Sequence, residues 1–198
     1  MSYPILTIGH SNQSLEEFLH LLKSHRVDVL VDVRSHPFSK YTLHFNAPAL
    51  KDAIAAAGMR YLYLGKELGG RPEELDYYDA EGHVLYGRVA ESVLCLDGIA
   101  RLEKGRQQYR VAVMCSEENP AGCHRRLLVA RVLAARGTPV QHIRGDGRLQ
   151  TEAELALEEA GPDTGAVQPS LFDTAEVTVW RSIRSVLRKG TPPTSSEP

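Results

Sequence analysis

The chain is poor in cysteine: Cys95, Cys115 and Cys123 are the three in 198 residues. A small, odd set excludes a disulfide scaffold and suits a reducing, cytoplasmic setting. No stretch of about 18 apolar residues occurs, so no transmembrane helix and no membrane partner is expected. Met1 to Ile8 lacks a basic leader and is too short for a secretory signal core. Positive charge is not in excess either. The formal net charge is -2 and the pI about 6.4, which disfavours a bulk cationic nucleic-acid binder but leaves room for a local basic patch. No internal repeat is present. What remains is ordinary globular material, 42% hydrophobic and 24% charged, enough for a sizeable core.

Apolar runs of strand length alternate with helical periodicity. Ile5 to Ile8, closed by Gly9, reads as a buried strand, and Ser14 with Glu17 forms a capping box opening a helix through Leu15, Phe18, Leu19 and Leu22. Val27 to Val33 is a β-branched strand covered on both faces. Ser35 to Asn46 reads as a loop, Pro48 to Gly58 as a helix and Tyr61 to Leu64 as a short strand. Gly65 to His83 carries four glycines and a proline and reads as a long excursion, a feature that is often functional. Val84 to Glu103 is expected as one helix with Val89, Val93, Leu96 and Ile99 on one face. Arg110 to Met114 is a strand. Asn119 caps and Pro120 opens a helix running to Arg136 and stopped by Gly137. Val140 to Ile143 is a strand, and Thr151 with Glu154 caps a last helix ending at Gly161.

This alternation predicts an α/β fold: a three-layer open sheet, mostly parallel, with helices on both faces. The expected organisation is an α/β domain over 1–161 and a C-terminal tail over 162–198, partly disordered. Within the tail, Trp180 to Lys189, with Arg181, Arg184, Arg188 and Lys189, has the makings of a short amphipathic helix.

In open α/β sheets ligands bind at the carboxyl ends of the strands. His10 follows the first strand; Arg34, Ser35 and His36 follow the second; Cys115 and Ser116 follow the strand ending at Met114. A helix opening at Pro120 points its free N–H groups at the same edge, where they favour an anion. Each residue also has a plain structural role: Cys115 as a small hydrophobe, Arg34 as the partner of Asp32. The conjunction carries the argument.

Three chemistries can be set against the spacing. A phosphatase-like Cys-x5-Arg loop fails, because the sixth position after Cys115 is Ala121. A zinc site from Cys115, Cys123 and His124 fits poorly, because adjacent helical residues diverge by about 100° and no fourth ligand has the spacing. No metal or other cofactor is therefore expected. Thiolate chemistry remains, and Val31-Asp32-Val33-Arg34 followed by Val113-Met114-Cys115, a helix, and 140–147 loosely echoes the order of a rhodanese-like fold. Glu117 and Glu118 beside Cys115 are expected to raise its pKa, whereas a helix's first turn, with His124 and Arg125 adjacent, favours Cys123 as the reactive thiol.

Several blocks together resemble the family called domain of unknown function 488. They are Ile8-Gly9-His10-Ser11, Val31-Asp32-Val33-Arg34-Ser35 with Pro37 and Ser39, Phe45-Asn46, and Leu68-Gly69-Gly70-Arg71. The most specific are Met114-Cys115-Ser116-Glu117, then Cys123-His124-Arg125-Arg126, and His142-Ile143. The resemblance spans 5–143 and implies a shared fold and site rather than a named reaction. It implies ligand contacts at His10, Arg34, Ser35, Cys115, Glu117, Cys123, His124 and Arg125. Cys115, Cys123 and His124 are the catalytic candidates, and His10, Arg34, Ser35, Glu117 and Arg125 the ligand-binding ones.

In the tail, Gln168-Pro169-Ser170-Leu171-Phe172 resembles the peptide by which bacterial repair and replication proteins dock on the DNA sliding clamp, through Gln168, Leu171 and Phe172. Three functions follow. One is an enzyme acting on a small anionic, phosphate- or nucleotide-like ligand, with His124 or His10 moving protons. Another is a nucleic-acid-associated accessory protein recruited by the tail. The third is a non-catalytic binding domain.

Overall fold

The computed structural model describes residues 2–160 and 179–186. Gln168, Leu171 and Phe172 lie outside them. In chain order the elements are β1 (Ile5–Gly9), α1 (Leu15–Ser24), β2 (Val29–Asp32), α2 (Ala47–Ala56), β3 (Arg60–Tyr63), α3 (Gly65–Leu68), α4 (Tyr86–Glu91), α5 (Val93–Gly105), β4 (Val111–Cys115), α6 (Arg131–Ala135), β5 (Val140–Ile143), β6 (Leu149–Thr151) and α7 (Glu152–Ala160). A π-helical segment, Arg125–Ala130, leads directly into α6.

The six strands form one sheet in the order β3-β2-β4-β1-β5-β6. All neighbours are parallel except β5 and β6. The expected mostly parallel, three-layer open sheet is therefore what the chain forms. The antiparallel strand β6 was not anticipated; three residues after a glycine turn leave no readable alternation.

Strand residues divide alternately between two cores, as the pleat requires. Leu6, Ile8, Leu30, Ala112 and Met114 pack with Phe18, Leu22, Leu50 and Ile54 of α1 and α2. Ile5, Val29, Val31, Val111 and Val113 pack on the other face with Leu68, Val89, Ile99, Leu128 and Leu133. The connections leaving β1 and β4 thus run to opposite faces. Between adjacent strands of that kind the carboxyl ends splay and leave a crevice, the switch point where α/β folds bind ligands. Cys115 ends β4 inside that crevice.

Two expected helices differ. Val84 to Glu103 is split at Ser92, whose side chain accepts from the Cys95 backbone N–H and caps α5. The break rotates the register, so Val93 and Leu96 face solvent while Cys95, Ile99 and Leu102 are buried. Residues from Pro120 form a turn rather than a helix opening. Asn119 Oδ1 accepts from Ala121 N, and the helix begins only at His124.

The segment 179–186 is irregular, not helical. Ser182 N–H donates to the Val84 carbonyl at 2.8 Å, and Ser182 Oγ accepts from Val84 N–H. Trp180 donates its indole N–H to Leu127 O at 2.6 Å, and Arg131 stacks over its ring. Arg181 reaches Asp79 and Glu81. These contacts lay the segment across 82–87 as one wall of the crevice.

Candidate functional site

The crevice is a cleft of about 370 Å³. That is small-ligand size. Arg34, Ser35, His36, Arg71, Cys115 and His124 line it, with Tyr86, Glu117 and residues 182–186. Among the described lining residues Glu117 is the lone carboxylate, against arginines at 34, 71 and 184 and histidines at 36 and 124.

At its floor, Cys115 Sγ lies 3.5 Å from His124 Nδ1, and Cys123 Sγ lies 3.9 Å from the same nitrogen. His124 Nε2 is 3.0 Å from the Val33 carbonyl. A carbonyl only accepts, so Nε2 carries the proton and Nδ1 faces sulfur with its lone pair, ready to exchange a proton with a thiol. Gly70 makes this placement exact in one more respect. A Cβ there would sit 2.7 Å from His124 Cγ, so only glycine lets the 68–71 turn close over the ring.

Cys115 is the favoured thiolate. The neighbouring Cys123 thiol lowers its pKa despite burial; the Arg125 charge and the N–H groups of Glu117 and Ser116 add to the effect. Burial and the proximity of Cys115 push Cys123 strongly upward. Burial works against a charged His124, but sulfur and the Val33 carbonyl outweigh it and raise its pKa. Cys123 was expected to be the reactive thiol on the assumption that it sits in a helix's first turn. It sits before the helix, and burial raises its pKa instead of lowering it. Of the two glutamates expected to raise the Cys115 pKa, Glu118 turns away to pair with Arg144 at 3.0 Å and to accept from Gly145 N–H, while Glu117 stays in the cleft lining.

Three predicted ligand contacts have other partners. Arg34 is clamped on Asp32 by Nε and Nη2, at 2.9 and 2.7 Å, and donates to the Phe45 carbonyl. It lines the cleft with its guanidinium already engaged. His10 Nδ1 donates to the Ser11 carbonyl, and Nε2 accepts from Arg34 Nη1 at 3.2 Å. Burial, then the Arg34 charge, lowers its pKa to about 4. A histidine held neutral on both nitrogens does not shuttle protons near neutral pH. Arg125 is fully buried. It donates to the carbonyls of Glu117 and Glu118 and, at 3.4 Å, to Thr7 Oγ1. It therefore shapes the turn around Cys115 instead of meeting a ligand. The turn fits because residue 9 is glycine; a Cβ there would lie 1.7 Å from the Glu117 carbonyl oxygen.

Ser35 Oγ accepts from Arg71 N–H at 2.9 Å, tying the glycine turn to the end of β2. Glu117 projects at the cleft mouth, exposed. Sequence reasoning missed Tyr86, a buried wall residue, and 182–186 altogether. Arg71 stood in a recognised block, but nothing in its neighbours told that it faces Cys115 across the cleft.

Cys115 Sγ, Cys123 Sγ and His124 Nδ1 lie within 4.8 Å of one another. The expected divergence of Cys123 from His124 does not occur, because the two are not successive helical residues. These three atoms could hold a metal that takes sulfur and nitrogen. Asp79, Glu81 and His83 form a second, shallower group, already engaged by Arg181.

No curated protein matches the chain. Two crystal structures of a protein from Shewanella putrefaciens CN-32, described as "Putative phosphatase (DUF442)", are similar at 20% and 21% identity. Each covers 69% of this chain and 67% or 70% of that one, with a TM-score of 0.39. At that level the likeness supports no functional argument. No helix of the described residues is long and apolar enough to cross a membrane. The family model described as "Domain of unknown function DUF488" matches residues 14–132, from the first capping box through the Cys115–His124 pair, and the chain belongs to that family.

Proposed function

We propose that the protein is an enzyme of thiolate chemistry, with Cys115 as nucleophile and His124 as its proton partner, acting on a small anionic ligand of the phosphate or nucleotide type. The observation that carries this reading is the pairing of Cys115 Sγ with His124 Nδ1 at the floor of an open cleft, with Nε2–H committed to the Val33 carbonyl. A nucleophile, a base with the right tautomer and a third group orienting the base are the parts such catalysis needs. Arg71 and Arg184 line the entrance and supply the charge that draws an anion in. Arg34, Ser35 and Arg125 act as positioning residues, and His10 serves the fold.

In this mechanism His124 Nδ1 takes the Cys115 proton, and the thiolate attacks the electrophilic centre of the bound anion. The leaving group departs with the proton from His124. The same nitrogen then takes a proton from water, which releases the adduct and restores the thiolate. A metal held by Cys115, Cys123 and His124 is the competing use of the same atoms, and the metal content of the purified protein separates the two.

The test is the pH dependence of iodoacetamide alkylation, read at Cys115 by peptide mass spectrometry. Wild type should alkylate with a midpoint below the ordinary thiol value of about 8.5. His124→Gln should raise the midpoint, and inorganic phosphate should protect wild type more than Arg71→Ala. A midpoint at or above the ordinary value, with no protection by phosphate, overturns the proposal.

A further inference from the structure

The mechanism uses Cys123 only as a neighbour of Cys115 and gives its sulfur no chemical step. Cys123 is 2% exposed, behind Cys115 and away from the cleft lining. A thiolate–imidazole pair needs no second thiol. Yet the Cys123 and Cys115 sulfurs share a common neighbour, His124 Nδ1, at 3.9 and 3.5 Å, and all three atoms lie within 4.8 Å of one another. Cys123 stands where the turn 119–123 meets the helix, its N–H on the Pro120 carbonyl and its own carbonyl accepting from Arg126 and Leu127, so its sulfur is held beside Cys115 by a fixed backbone. The third cysteine, Cys95, is buried in the α5 core and takes no part.

We infer that Cys115 and Cys123 form a peroxide-responsive dithiol, with Cys115 the thiol that meets the oxidant and Cys123 the one that resolves it. This rests on the reading of Cys115 as the cleft's reactive thiolate and adds a regulation of that site. The oxidant is a hydroperoxide small enough for the cleft. The Cys115 thiolate attacks one peroxide oxygen and the O–O bond breaks. Cys115 becomes a sulfenic acid, and the other oxygen leaves as hydroxide or alkoxide. The Cys123 sulfur then attacks the sulfenic sulfur. Its proton passes by way of His124 Nδ1 to the departing hydroxyl, which leaves as water, and a disulfide remains. One peroxide is reduced by two electrons and two thiols are oxidised by two. A dithiol reductant reverses the reaction. Because Cys123 stands ready, the sulfenic acid is consumed before a second peroxide drives it to the irreversible sulfinic acid. The enzyme is thereby switched off and protected at once.

The experiment treats the reduced full-length protein, freed of metal by a chelator, with equimolar hydrogen peroxide and maps the cysteines by mass spectrometry. Wild type should yield a Cys115–Cys123 cross-linked peptide that dithiothreitol reopens. Cys123→Ser should instead yield Cys115 sulfenic acid trapped by dimedone, then sulfinic acid. Iodoacetamide labelling of reduced Cys123→Ser is the companion measurement. If Cys115 labels as an activated thiol but wild type gives sulfinic acid without the cross-link, the dithiol inference is overturned and the proposed function stands. If Cys115 labels as an ordinary thiol in wild type and variant alike, the underlying reading fails as well.

Discussion

His10 offers the most direct measurement of how this crevice is built. Its ring stacks on Phe45 with centroids 4.2 Å apart, its Nδ1–H is taken by the Ser11 carbonyl, and Arg34 donates to Nε2. Protonation would put a second cation against Arg34 in a buried place, which is why its pKa falls to about 4. The sign follows from linkage. An unfolded histidine titrates near 6.5 and the folded one near 4, so protons bind the unfolded chain first. The stability contributed by neutral His10 is complete above pH 6.5 and is lost as pH falls toward 4. At 1.36 kcal/mol per pKa unit, the loss is about 2 kcal/mol by pH 5 and about 3 kcal/mol by pH 4. The assay is urea unfolding at pH 7, 6 and 5 of wild type and His10→Gln, whose side-chain oxygen still accepts from Arg34. Carboxylates that titrate in the same range, Glu118 and Glu152 among them, are common to both proteins and cancel in the difference. Wild type should weaken by about 2 kcal/mol more than the variant across this range. Parallel stability curves would refute both the neutral assignment and the exclusion of His10 from proton transfer.

Other perturbations follow from the same geometry. Arg125→Met removes a fully buried charge and leaves the Glu117 and Glu118 carbonyls unpaired, so unfolding free energy should drop by about 3–5 kcal/mol in urea titrations and the Cys115 alkylation midpoint should rise. Unchanged stability would mean that the turn is held by something else. Gly70→Ala places a Cβ 2.7 Å from His124 Cγ and must displace the ring; Cys115 alkylation near neutral pH should slow toward that of His124→Gln while the fold survives by circular dichroism.

Much of the scaffold was legible because it depends on local pattern. The alternation of β-branched strands with capped helices announced a parallel α/β sheet, and Ser14 caps α1 through the Glu17 box as read. The site edge was legible too, since chain order alone puts residues 10, 34 and 115 after strands. The roles at that edge were not, because hydrogen-bond partners come from distant segments. Arg34 and Asp32 are near neighbours in sequence, yet only the structure chose their ion pair over an anion clamp. Arg125 looked like a ligand cation until burial showed it holding carbonyls. Cys123 looked like the activated thiol until the helix was seen to begin one residue later. The cleft wall at 182–186 had no local signature, since an irregular segment anchored on Val84 and Leu127 is made by its partners.

What the sequence by itself determined is thus the family, the sheet and the edge at which chemistry should be sought, all carried by short-range periodicity and by blocks of residues in order. What only the tertiary structure decided is how the surroundings of the two thiols differ. That depends on the packing of Cys123 beside Cys115, an imidazole oriented by the Val33 carbonyl and a charge buried at Arg125, contacts that join the end of β2, β4 and the helix after it and that no local pattern encodes.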